Sequence, residues 1–233
     1  MSDPPQHQLP LAIRPRDDAT FANFLVRSGR QPAVDALRAQ CLPGGEPVVF
    51  LCGPGGGGKS HLLQACCQQQ ESSALYVPLA ELAGYEPREV LAGLEAARRL
   101  CLDDLQAVAG NEAWEEALFH LFNRCSQSGC ALVFAADGAP RSLGIGLADL
   151  QSRLSSGVIF QLQRLDDPDR EAILRFRAQR RGLELPADVA SYIVSRAPRQ
   201  MEQLLALLDR LDEASLAHQR ALSRPFVKQT LHW

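Results

Sequence analysis

The chain has 233 residues, and its 24 Lys and Arg against 27 Asp and Glu give a formal net charge of −3. At 46% hydrophobic and 22% charged it has an ordinary globular composition, long enough for one domain or for a larger one with a small appendage. No apolar run approaches the roughly 18–20 residues that span a bilayer, and the mild acidity excludes a nucleic-acid binder working by bulk charge.

Residues 1–18, MSDPPQHQLPLAIRPRDD, lack a basic segment followed by an apolar core and so are not a secretion signal. Their Pro, Gln and Asp around the apolar island Leu9 to Ile13 predict a flexible arm. A helix is expected from Pro32 to about Gln40, since Pro suits the first helical turn; Pro43-Gly44-Gly45 then breaks the chain. Apolar runs at 48–52, 74–77, 99–103, 131–135 and 158–160 read as strands, with helical stretches at 60–70, near 86–95 and at 111–125 between them. In the last of these helices, Trp114, Ala117, Leu118, Leu121, Phe122 and Cys125 share one face. Continuous apolar strands alternating with helices predict an α/β fold, a parallel five-stranded sheet flanked by helices.

After about Arg164 only helices are expected. Asp167 reads as an N-cap with Pro168 at the first position of a helix that Gly182 closes. Stretches 187–196 and 200–218 follow, the latter with Met201, Leu204, Leu205, Leu208 and Leu211 at helical spacing. The expected organisation is an arm at 1–18, an α/β domain at 19–164 and a small all-α domain at 165–233. The seven Cys form no CxxC pair, and their odd number argues against a complete disulfide framework. A reduced, cytoplasmic protein with no membrane association is expected.

Of the 24 basic residues, 22 are Arg and two are Lys, Lys59 and Lys228. Lys59 lies in Gly53-Pro54-Gly55-Gly56-Gly57-Gly58-Lys59-Ser60, which fits G-x-x-x-x-G-K-[ST] between a strand and a helix. Glycines let backbone N–H groups turn toward phosphates, and a helix N-terminus adds positive potential. Lys59 would reach the terminal phosphates as a compact ammonium, which Arg's planar fork would fit poorly. Ser60 offers a hydroxyl to Mg²⁺. Leu100-Cys101-Leu102-Asp103-Asp104 is an apolar strand ending in two acids. Asp103 would hold Mg²⁺ through water, and Asp104 would orient the attacking water. Asp137, after the fourth strand, could sense a γ-phosphate, or form a plain turn with Gly138.

These residues resemble the AAA+ ATPases of the DnaA initiator clade from about residue 19 onward. Thr20-Phe21-Ala22-Asn23-Phe24 looks like the family's adenine-side motif, and Leu102 to Gly110 is similar to its extended Walker B segment. Leu150-Gln151-Ser152-Arg153-Leu154 resembles the segment that carries an arginine finger. The resemblance implies a P-loop AAA+ sheet domain followed by a helical lid, with ADP or ATP and Mg²⁺ as ligands. Phe21, Phe24, His61 and the whole of Gly53 to Ser60 would line the nucleotide. Within the clade the chain looks most like the Hda family of DnaA regulators. It stops after the lid, and its arm carries Gln8-Leu9-Pro10-Leu11-Ala12-Ile13, similar to sliding-clamp-binding motifs. Gln8 would bond at a pocket rim while Leu9, Leu11 and Ile13 enter an apolar groove.

The resemblance implies a negative regulator of replication initiation. It would sit on the DNA-loaded clamp and stimulate hydrolysis of ATP bound to DnaA through Arg153, meeting DNA only through the clamp. Self-association is a further implied option. One departure concerns the lid: where the family places a sensor-2 arginine, alignment gives Glu202. Arg199 lies three residues earlier, and either it substitutes or the contact is lacking. An ADP- or ATP-holding regulator is therefore expected rather than an efficient ATPase. The competing reading is a helicase loader of the same clade, which would need a helicase-binding element and stacking aromatics that the arm lacks. Arg175, Arg177, Arg180 and Arg181 are expected to form a solvated helix face.

Overall fold

A computed structural model of the chain describes residues 18–27, 29–69 and 73–233. They divide into two compact units, one of residues 18–54 with Gly58–Leu162, the other of Gly55–Gly57 with Gln163–Trp233.

The first unit contains α1 (Gln31–Ala39), β1 (Val48–Cys52), α2 (Lys59–Cys67), β2 (Ala74–Pro78), α3 (Leu79–Leu82), α4 (Pro87–Val90), β3 (Arg99–Asp103), α5 (Glu112–Ser128), β4 (Ala131–Ala136), α6 (Ala148–Leu154) and β5 (Val158–Gln161). The five strands form one sheet in the order β2-β3-β4-β1-β5, and every pairing is parallel. This is the expected α/β architecture.

Strand side chains alternate between faces, so parity sorts the core into two layers. Val48, Phe50, Cys52, Leu100, Leu102, Leu132 and Phe134 pack with Trp114, Leu118, Leu121 and Phe122 of α5. Val49, Leu51, Cys101, Val133 and Ala135 pack with Val34 and Leu37 of α1 and with Leu62, Leu63 and Cys66 of α2. β1 and β4 are apolar at every position, as strands covered on both sides require, and each large side chain so buried contributes roughly 1.5–3 kcal/mol. β5 departs from the expected buried strand: it is an edge strand with Ile159 40% exposed.

Helix boundaries follow local chemistry. The Asn111 side chain caps α5 by accepting from Trp114 N at 3.2 Å, Glu112 and Glu115 occupy the first turn, and Gly129 ends the helix at φ +76. The helical stretch expected at 86–95 is broken into α4 and a 3-10 turn, Leu94–Ala96, because Gly93 takes φ +73 between them.

The second unit contains α7 (Asp167–Arg180), α8 (Ala187–Arg196), α9 (Met201–His218) and α10 (Arg224–Leu231) around a core of Leu174, Ala178, Val189, Ile193, Leu204, Leu208, Leu211, Phe226 and Val227. The cap of α7 lies one residue earlier than expected: Asp166, not Asp167, accepts from Asp169 N at 2.7 Å, and Pro168 is inside the first turn. The arginines of α7 are not one solvated face. Arg175 and Arg180 are exposed and Arg181 pairs with Asp209 at 2.5 Å, but Arg177 is buried. α10 was not foreseen from its sequence. Among the described residues no helix is long and apolar enough to cross a membrane.

Candidate functional site

Three adjacent parallel strands, β3, β4 and β1, deliver their carboxyl ends to one edge of the sheet, where open α/β sheets place ligands. The segment after β1 begins at Gly53, whose N–H donates to Ala136 O at 3.2 Å. With φ +139 and a would-be Cβ colliding with the Leu162 carbonyl, that position requires glycine. Gly58 (φ +88) makes the left-handed turn into α2, and a Cβ there would meet the Phe24 ring at 2.9 Å. A side chain at Gly53 would displace the Leu162 backbone, and one at Gly58 would push the Phe24 ring aside.

Lys59 opens α2 and is 8% exposed. Its Nζ donates to the carbonyls of Gly53 at 2.5 Å and Pro54 at 3.1 Å. Burial lowers its pKa, while Asp103, Asp104 and Asp137 pull it back upward. The ammonium thus faces three carboxylates from two neighbouring strands.

Asp103 is fully buried at the end of β3. It accepts from the Ser60 hydroxyl, from Tyr76 Oη at 2.8 Å and from Asp104 N at 3.0 Å. Burial raises its pKa; the Ser60 and Tyr76 hydrogen bonds oppose that, and the Asp104 charge adds to it. Tyr76 in turn is pushed up by its own burial and then by Asp103. Asp104 sits at φ +56, a conformation that Asp tolerates better than most residues. Its Oδ1 accepts from Gln106 Nε2 at 2.9 Å, and Gln106 Oε1 accepts from Asp137 N at 3.2 Å. Gln106 therefore links the second acid of β3 to the end of β4.

The Thr20–Phe24 segment lies against the first turn of α2. Thr20 caps a 3-10 turn at Phe21–Asn23, and His61 Nε2 donates to Thr20 O at 2.9 Å. The Phe24 and His61 rings are 5.5 Å apart, and the Arg38 guanidinium lies 5.2 Å from the Phe21 ring centroid. Phe21, Phe24, His61, Gly53, Pro54, Gly58, Lys59, Ser60, Asp103, Asp104 and Asp137 thus all belong to the first unit. Gly55, Gly56 and Gly57 group with the second.

Arg153 occupies the last turn of α6, exposed, its guanidinium 5.9 Å from the Phe122 ring and paired with no carboxylate among the described residues. Arg199, exposed in the second unit just ahead of α9, lines a surface cavity of about 340 Å³ with Arg164, Asp166, Asp167 and Arg170. There the Arg170 hydrogen bond, and then the Arg170 and Arg199 charges, hold Asp167 below its usual pKa. Glu202 is exposed in the first turn of α9, and Arg196 stacks on Tyr192 at 4.4 Å. Gln8, Leu9, Leu11 and Ile13 lie outside the described residues.

The Ser60 hydroxyl and Asp103 carboxylate form a hard-oxygen pair of the kind Mg²⁺ takes from a protein when phosphates and waters complete its shell. No group of three His, Cys, Asp or Glu among the described residues could hold a metal alone. Tyr76 and Gln106 are site-shaping residues that sequence reading did not single out. Tyr76 reads there as one more strand aromatic.

Comparison with known proteins gives a consistent family. The description "Hda, lid domain" matches residues 167–231, and "Bacterial DnaA ATPase domain" matches residues 88–161. An uncharacterized protein of Haemophilus influenzae is 41% identical over 229 residues, 97% of this chain and 98% of that one. Domain III of the Thermotoga maritima replication initiation protein DnaA superposes with TM-score 0.75 at 24% identity, over 93% of this chain and 97% of that one. The AMPPCP-bound DnaA of Aquifex aeolicus gives TM-score 0.69 at 25% identity, over 84% of this chain and 66% of that one.

Proposed function

Because the chain belongs to the Hda/DnaA clade of AAA+ proteins, we propose that it binds ADP or ATP with Mg²⁺ and acts on DnaA while tethered to the DNA-loaded sliding clamp. A bound nucleotide supplies the phosphate charge that the loop, Lys59 and the metal neutralise. Gly53 to Ser60 would cradle the phosphates, Ser60 and Asp103 would hold Mg²⁺, and Asp104 and Asp137 would face the terminal phosphate. Phe21, Phe24 and His61 would flank the base, and Arg199 would approach from the lid. The AMPPCP bound to the Aquifex aeolicus DnaA supports nucleotide binding by this chain.

The observation that carries the regulatory reading is Arg153, an exposed guanidinium at a helix end with no carboxylate partner among the described residues. Such a group is available to a phosphate on another subunit, where an arginine finger stabilises developing charge. Gln8, Leu9, Leu11 and Ile13 would seat the arm on the clamp, bringing the protein to DNA indirectly. A cytoplasmic location, possible self-association, and a boundary between sheet domain and lid near residue 164 belong to the same proposal. The test is a clamp-on-DNA assay of DnaA-bound ATP hydrolysis with wild type and Gln8→Ala/Leu9→Ala. Wild type should accelerate hydrolysis only with clamp loaded on DNA, and the double substitution should lose both clamp retention and acceleration. Clamp binding that is equal for both proteins, or absent for both, rejects the tethered reading.

A further inference from the structure

Glu115 lies in the first turn of α5 and is 4% exposed. A buried carboxylate needs a cation or several donors, and here three backbone N–H groups serve. Oε1 accepts from Gly110 N at 2.7 Å and Gly146 N at 3.1 Å, and Oε2 accepts from Leu147 N at 2.7 Å. The three donors come from two separate segments. Gly110 closes the run that leaves β3 through Asp103 and Asp104, whereas Gly146 and Leu147 lead into α6, the helix that ends at Arg153. α6 has no side-chain cap of its own, and Glu115 takes the N–H of its N-cap residue, Leu147. The carboxylate also places negative charge where a helix start favours it.

We propose that Glu115 is a positioning residue that locks the Arg153 helix to the segment issuing from the Asp103–Asp104 pair, so that the finger is presented in register with the protein's own nucleotide site. The inference rests on Arg153 acting in trans. The lock depends on a carboxylate: both oxygens accept, and one of them accepts twice. Gln at this position keeps the length but sets an –NH₂ group against at least one backbone N–H and makes the remaining bonds neutral, so both segments are held less tightly. A misplacement of about 1 Å in a reacting group can cost about 100-fold in rate.

The test compares wild type, Glu115→Gln, Arg153→Ala and the double substitution in the full chain, by amide hydrogen exchange, ADP binding and stimulation of DnaA-bound ATP hydrolysis. Glu115→Gln should bind ADP with unchanged affinity and exchange at least about tenfold faster at 105–111 and 145–154, with little change elsewhere. It should lower stimulation by about 10- to 100-fold and cost nothing further in the Arg153→Ala background. A general loss of protection, an unchanged exchange pattern, wild-type stimulation, or an additive double substitution would each overturn the lock. If Arg153→Ala itself stimulates normally, the finger reading fails, and the lock is then decided by exchange alone: paired loosening of the two segments upholds it and its absence rejects it.

Discussion

Tyr76 donates its hydroxyl to Asp103 Oδ2 at 2.8 Å, from one strand to the next. The register sets Tyr76 opposite Cys101 and Pro78 opposite Asp103, so the phenol reaches diagonally along the sheet to the acid at the end of β3. An edge strand thereby orients the carboxylate that the metal would use. Tyr76→Phe removes a donor from a buried charged acceptor, which costs about 1–3 kcal/mol. In a chain of this size that lowers the melting temperature by about 2–4 °C per kcal/mol. Thermal melts at neutral pH test the expectation; a variant melting with wild type would mean the hydrogen bond contributes nothing.

Lys59 carries a pH prediction. Burial lowers its pKa from 10.5, so in the alkaline range below 10.5 the folded protein holds this proton less tightly than the unfolded chain does. Phosphate beside the ammonium favours its charged form and raises the pKa again. Nucleotide binding must then take up a proton between the two values, and affinity must fall as pH rises through that window. The limit is tenfold per pH unit for one proton. Calorimetric titration with ADP between neutral and alkaline pH should show the slope in wild type and a flat profile in Lys59→Met. Equal slopes in the two would assign the proton elsewhere.

For Arg153, Arg153→Ala should leave nucleotide binding and melting temperature unchanged, because the guanidinium is exposed and lies over the Phe122 ring face at 5.9 Å. Stimulation of hydrolysis on DnaA should fall by up to about 10³–10⁵, the range seen where arginine fingers act in GTPases. Arg153→Lys should recover little, since an ammonium lacks the bidentate fork. Full stimulation by Arg153→Ala under clamp-loaded conditions would rule the residue out.

The sheet was legible because five apolar runs with intervening helical periods leave few alternatives to a parallel α/β layer. Its strand order was not legible, since parity and hydropathy say nothing about which strand neighbours β1. The parts of the candidate site that depend on neighbour identity were hidden with it: Tyr76 meets Asp103 only because β2 lies beside β3. Glu115 was hidden for a related reason. Its partners are backbone N–H groups, which carry no residue signature, and they lie 5, 31 and 32 positions away. The Gly-rich loop was readable because its chemistry is local, with strand, turn and helix start within a dozen residues. The break at Gly93 was missed because a single glycine within a helical period is ordinarily tolerated.

α10 carries its start signals in the local sequence. Ser223 caps it, accepting from Phe226 N at 3.4 Å, and Pro225 sits in the first turn, the sequence signature of a helix start. The helix buries Phe226, Val227 and Leu231 in the core of the second unit while Lys228 stays exposed. The two faces predict opposite outcomes from one helix. Phe226 is 2% exposed and stacks edge-on with His218 at 6.4 Å, so Phe226→Ala should cost about 3–5 kcal/mol as transfer and cavity contributions add. Lys228→Ala should change stability by no more than about 0.5 kcal/mol, as exposed positions generally do. Chemical denaturation followed by far-UV circular dichroism separates the two. If the substitutions are equally mild, α10 does not pack as a permanent part of the lid; if they are equally severe, Lys228 makes a contact that its exposure conceals.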